Sequence, residues 1–284
     1  MGLRINTNIM ALQAQRHLRE HTRRAQKAME RLSTGLRINR AGDDPAGLAI
    51  SEGLKARIRA LEVAGRNAAD GISMVQVAEG GLESVSELLI RMKELGVQAL
   101  NGAMDDQQRS YLDREFQALK EEVTRIAGAS EFNGLHLLDG SQGSVNLQVG
   151  VDAGGSGALS VTLGIDASAA GLGIDGLDVL FGTDASAGAA IAGIDAALDR
   201  ISGHRAGLGA TQNRLESIIR LNANQAENLS AANSRIRDVD MAVEMAELTR
   251  AQIMQQVAVA VLAQVQNQPN LVLRLMESSY RRSR

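Results

Sequence analysis

The sequence contains no cysteine and no tryptophan. Without thiols there is no disulfide framework, no thiolate metal site and no cysteine nucleophile. Two tyrosines and three phenylalanines bring the aromatic share of 284 residues to 2%, too little to fill a thick globular core. Small aliphatic side chains suit thin layers of two to four helices instead. Long apolar runs are missing too: nothing of about 18 residues could span a bilayer, so no membrane insertion is expected. The first thirty residues also lack the apolar stretch of a cleaved secretory signal. A chain of this kind that leaves the cell takes another route.

Charge is unevenly placed. The formal net charge is -3, yet residues 1–40 hold nine Lys or Arg against two Glu, leaving the acidic excess to the middle of the chain. A basic arm can bind nucleic acid, but no aromatic residue interleaves residues 1–40 for base stacking, and no nucleic-acid partner is expected.

Apolar residues from Ala46 onward keep a three-four alternation. Leu54, Leu61, Ala68, Val75, Leu82 and Leu89 recur every seventh position, with Ala64, Gly71, Ala78, Val85 and Met92 between them. This is the seam of packed long helices. A helix from Ala46 to about Asn101 would be roughly 84 Å long. A second helix reads from Asp106 to Ala129 through Leu112, Phe116, Leu119, Val123 and Ile126, and a third from Ser186 to Arg237 on a grid interrupted at Asn222. Between them the period changes to two. Val145, Leu147, Val149 and Val151, then Leu159, Val161 and Leu163, alternate around AGGSG, and Asn133-Gly134 offers a turn.

Of the 29 glycines, 14 fall in residues 134–193, so 166–183 read as a short exposed loop that makes few core contacts and tolerates insertion. Ser168, Thr183 and Ser186 are glycosylation candidates there.

The two ends are amphipathic without a partner nearby in sequence. Ala25, Met29, Leu32 and Leu36 form one seam, and Met254, Ala258, Val261 and Val265 another. They are expected to pair with each other or with other chains, and to order fully only on assembly.

The chain has two prolines, and one sits in GDDP. Gly42 ends a segment, Asp43 and Asp44 supply carboxylates, and Pro45 suits a first helical position because its missing N–H is not needed there. GDDP is therefore read as a joint between a terminal helix and a central rod, with RIRDVDM at 235–241 crossing the same level. Catalysis by Asp43 and Asp44 needs more assumptions than capping. His17 and His21 share a helix face but lack a third ligand nearby, so no metal, no cofactor and no enzyme activity are expected.

These features resemble bacterial flagellin. The resemblance rests on LRINTNIMALQAQRHL, LSTGLRINRAGDDPAGLAIS and RMKELGVQALNG. EFNG, ATQNRLE, MAVEMAELTRAQIMQQ and VLAQVQNQPNLVLRL extend it to both terminal thirds. It departs from the family in continuing past LVLRLM as ESSYRRSR.

The resemblance implies a mainly α fold: a long antiparallel helical rod (45–165 and 184–237) with a small β-hairpin region at about 134–165. A paired terminal-helix domain would form from 1–44 and 238–284, with 166–183 in place of outer domains. It implies a secreted helical homopolymer, the extracellular bacterial flagellum. Its partners would be the export apparatus and an export chaperone, the filament cap and the hook-junction proteins. Arg91, Leu95 and Glu115 match the surface through which flagellins meet the vertebrate flagellin receptor, or pack laterally. A hook-filament junction protein and a secreted coiled-coil effector or adhesin are the alternatives. Only an effector would stay soluble without polymerising.

Overall fold

A computed structural model describes residues 8–152, 157–179 and 184–282, without the side chains of 184–185 and 268–282. In chain order the elements are α1 (Ile9–Thr34), α2 (Pro45–Ala99), α3 (Asp106–Ala129), β1 (Glu131–Phe132) and β2 (Leu135–His136). They continue as β3 (Ser144–Gln148), β4 (Ala158–Thr162), α4 (Ala169–Leu172), α5 (Asp184–Arg237) and α6 (Met241–Arg282). The fold is mainly α, as the seven-residue patterning predicts. Two compact units emerge, one of 1–55 with 229–284 and one of 56–228. Their boundary falls inside α2 and α5, not at the linkers between helices.

In the 56–228 unit, α3 and α5 both pack antiparallel to α2. Arg91 on α2 reaches Glu115 on α3 at 2.8 Å, and further back along α2 a Cβ on Gly81 would meet Ser130 at the end of α3. Toward α5, Lys93 pairs with Asp195 and Arg205 with Glu79. The α2 seam from Leu61 through Met92 is buried throughout, facing Phe116 and Val123 of α3 and Ile194, Ile201, Leu208 and Leu215 of α5. Leu54, the first residue of the expected grid, is only half-buried.

Asn222 takes the next grid position after Leu215. Its interruption has a cause: the buried amide donates to the Val149 carbonyl at 2.9 Å, just past the end of β3. An apolar residue there would leave that carbonyl unsatisfied.

The expected single hairpin region resolves into two separate antiparallel pairs, β1-β2 and β3-β4. Asn133 (φ 51°) and Gly134 (φ 77°) both adopt the left-handed conformation that a tight two-residue hairpin requires. In the second pair Val145 faces Val161 and Leu147 faces Leu159, so the alternating apolar residues meet across the strands. Gly71 on α2 makes room for this sheet, since a Cβ there would overlap Leu147.

The reading of 166–183 as an exposed loop with few core contacts is corrected for its described part. Ala167, Ala169, Leu172, Ile174 and Val179 are buried in the main core. Residues 180–183, with Thr183, lie outside the described residues. Glycine content misleads here because these five apolar side chains point inward. The backbone is also held to α3: the Val179 N–H donates to Asp113, the Ala169 N–H to Thr124, and Lys120 donates to the Asp175 carbonyl. Ser168 caps α4 through the Gly171 N–H, and Gly173 (φ 77°) closes it.

Truncating Leu172 to Ala is therefore expected to cost about 2 to 5 kcal/mol. The melting temperature of the purified chain checks this. A short insertion after Gly173 should lower it as well, contrary to a loop outside the core.

Candidate functional site

Unit 1–55 with 229–284 is built around α1 against α6. Asn8 begins α1, its side-chain oxygen accepting from the Ala11 N–H at 3.1 Å while its amide donates to the Val265 carbonyl at 3.3 Å. Near the other end Arg31 meets Glu244 at 3.3 Å, so the helices run antiparallel. Their seam is thin. Ala14, Ala25 and Ala28 face inward from α1, and Glu244, Ala251, Ala258 and Val265, seven apart, face inward from α6. Alanine lets two helices approach closely but removes little apolar area from water.

The larger apolar side chains point outward instead. Ile9, Met10, Leu12 and Met29 on α1, and Met241, Val243, Met245, Ile253, Met254, Val257, Val259 and Val261 on α6, are between 41% and 63% exposed. The residues expected to form the terminal seams thus divide. Ala25, Ala258 and Val265 are buried within the chain, Leu32 and Leu36 are half-buried, and Met29, Met254 and Val261 are exposed. A four-three-four spacing marks one stripe, but it does not distinguish the stripe an internal partner covers from the one beside it.

The links between helices meet at the joint. Gly35, not Gly42, terminates α1: its φ is 71° and its N–H donates to the Arg31 carbonyl at 2.8 Å. Gly42 has open space where a Cβ would stand. The α1-α2 and α5-α6 links lie antiparallel, the Val239 N–H donating to the Gly35 carbonyl at 3.0 Å and the Arg37 N–H to the Arg237 carbonyl at 2.6 Å. Asp44 caps α2 by accepting from the Gly47 N–H at 2.9 Å, and Asp240 caps α6 through the Ala242 N–H at 2.9 Å.

Asp43 does a different task from its neighbour. It pairs with Lys27 at 2.6 Å and accepts from the Asn39 and Arg40 N–H groups, folding the link back on α1. The Lys27 hydrogen bond holds its carboxyl below the usual range, aided by the two backbone donors.

Three contributors to this joint escape the sequence pattern. A Cβ on Gly47 would stand 2.3 Å from an Asp44 carboxylate oxygen and 2.9 Å from Ile38, which is itself buried. Arg237 reaches back to α2, donating to Ser51 and pairing with Glu52. None belongs to an apolar repeat. Only the crowding of two links at one place reveals them.

Arg91, Leu95 and Glu115 do not form one exposed surface. Arg91 and Glu115 are an exposed ion pair, with Glu94 also on Arg91. Leu95 is 1% exposed, because it continues the buried α2 seam after Met92. Among the described residues no group of three or more His, Asp or Glu is placed to hold a metal ion.

Two family descriptions match the chain: the bacterial flagellin N-terminal helical region over residues 5–143 and its C-terminal helical region over 191–276. The chain belongs to the bacterial flagellin family. The flagellin of Halalkalibacterium halodurans is 48% identical over 96% of this chain and 99% of its own. That of Bacillus subtilis is 43% identical over 96% and 100%. The flagellar filament 33 kDa core protein of Treponema phagedenis is 42% identical over 96% and 99%. Flagellins are structural proteins, and this chain is no enzyme.

Replacing Asp44 and Pro45 together by Ala removes the cap, worth about 0.5 to 2 kcal/mol. The expected result is a lower melting temperature and filaments of altered shape by electron microscopy. The Asp43 contribution is present above the unfolded carboxylate value, about 3.9. It is lost as pH falls through the lower folded value. In a Lys27→Met chain the folded value moves back toward the unfolded one, so the acid-induced loss should be smaller and complete at a higher pH, measured as melting temperature against pH.

Proposed function

We propose that this chain polymerises into the flagellar filament through the outward apolar faces of α1 and α6. The observation that carries the reading is the inversion of the terminal pair, which buries mainly alanines and exposes five methionines, two isoleucines and four valines. An uncovered apolar surface of that extent on a soluble chain calls for a partner. Copies joined head to tail by a non-closing operation give an open helical polymer, whose function is mechanical: a stiff propeller that transmits torque. Capped helices and the joint would carry load from the terminal pair to the core unit.

The same faces account for coupling between folding and assembly. Ordering each terminal segment costs about 1 to 2 kcal/mol per residue in backbone entropy, and a seam of alanines offsets little of it. Contacts with neighbouring copies supply the difference. A terminal region ordered by assembly also suits a chain threaded through the flagellar export apparatus, delivered by an export chaperone. It would then be added beneath the filament cap, distal to the hook-junction proteins, as part of an extracellular filament.

Val257→Glu places a carboxylate on the outward face of α6 without touching the inner seam. Its circular dichroism should match that of the parent, while the concentration needed for seeded polymerisation rises by at least about tenfold, equivalent to about 1.4 kcal/mol. Sedimentation measures it. Unchanged polymerisation would overturn the reading.

A further inference from the structure

Among the methionines whose side chains are described, the exposed ones all lie in the terminal unit, while Met104 of the other unit is half-buried. Met74 and Met92, on the α2 seam, are 2% and 0% exposed. Met10, Met29, Met241, Met245 and Met254, all in the terminal unit, are between 41% and 56% exposed. Two of them share one level of the pair: Met29 lies two residues before Arg31, and Met245 directly follows Glu244, to which Arg31 is bound at 3.3 Å. Met241 and Met245 are one helical turn apart on α6.

Such a face has a chemistry that leucine would not give it. Methionine is unbranched and its thioether adapts to an irregular partner surface, which suits a contact that must form against several neighbours. The thioether is also the one group in these side chains that mild oxidants attack, turning a flexible apolar chain into a polar one. With no cysteine anywhere in the sequence, no thiol competes for the oxidant.

We propose that these five methionines are a peroxide-modification site on the unassembled subunit, and that their oxidation withholds the subunit from the filament. Hydrogen peroxide is the co-reactant. Its oxygen–oxygen bond breaks as one oxygen bonds to the thioether sulfur, the sulfur is oxidised by two electrons, and the peroxide is reduced to water, which keeps both of its protons. Each sulfoxide oxygen then needs a hydrogen-bond partner when the face is covered, and the neighbouring Val243, Ile253, Val257 and Val261 side chains offer none. A methionine sulfoxide reductase reverses the change: two thiols of the reductase system are oxidised to a disulfide, the sulfur regains two electrons, and the oxygen leaves as water. Copies already in a filament have these faces covered, so the effect falls on chains awaiting assembly. The inference rests on the outward faces being the subunit contacts.

The test treats the purified full-length monomer with hydrogen peroxide, maps the added oxygens by mass spectrometry, and follows polymerisation onto filament seeds by sedimentation. Oxygen is expected on the five terminal methionines well before Met74 and Met92. Polymerisation should slow by at least tenfold and recover after reductase treatment. Equal modification of Met74 and Met92, or polymerisation at the parent rate with the five oxidised, would overturn the proposal.

A second chain, carrying Met245→Gln and Met254→Gln, imitates the added polarity without oxidant. It should also polymerise more slowly, and the parent rate would count against the proposal. Val257→Glu separates the two failures. Loss of assembly in that chain with no effect of oxidation sinks only the methionine proposal, whereas normal assembly in that chain removes its premise.

Discussion

Everything in the terminal unit depends on one constraint: two helices joined along alanines cannot also cover their own large side chains. Ala14, Ala25 and Ala28 against Ala251 and Ala258 bring the backbones together, and that closeness turns the flanking methionines and valines away from the axis of the pair. A seam of leucines would have buried more and left a self-sufficient coiled coil. Here the internal contact orients the helices and leaves the larger apolar side chains uncovered within the chain. Glu244 sharpens the point. A buried carboxylate within the seam, paired with Arg31, fixes which stretch of α6 lies beside α1 more than it adds stability.

The core unit solves the opposite problem. Few aromatic residues are available, so among the described residues Phe116 is the only ring among its largest fully buried side chains, and Leu, Val, Ile and Ala fill the rest. Three helices with small residues on the seam approach closely where glycines admit neighbouring side chains. Gly71 receives Leu147, and Gly96 lies 3.1 Å, measured from an ideal Cβ, from Ile191. The small sheets do not form a layer of their own. They close gaps along the helices, and Asn222 holds the end of one of them.

Helices and hairpin turns were legible in the sequence because each obeys a local period: the a/d repeat of α2, the alternation of β3 and β4, and the left-handed pair Asn133 and Gly134. Burial of 167–179 was not legible. Its five inward side chains follow no period, and its backbone is held by Asp113, Thr124 and Lys120, which are distant in sequence. The joint was half legible. Asp44 and Pro45 announce a helix start by type and order, whereas Gly47, Ser51 and Arg237 matter only because two links cross there. Leu95 was misplaced by motif, although its position on the seam already implied a buried side chain.

The pairing of α1 with α6 joins the first described helix of the chain to the last. The Arg31–Glu244 contact spans 213 residues, so it can form only once α6 has been synthesised. A chain broken anywhere between Thr34 and Met241 keeps α1 and loses its mate, or the reverse. Under the proposed assembly through the faces of α1 and α6, admission to the polymer would depend on possession of both helices, without any separate inspection of length.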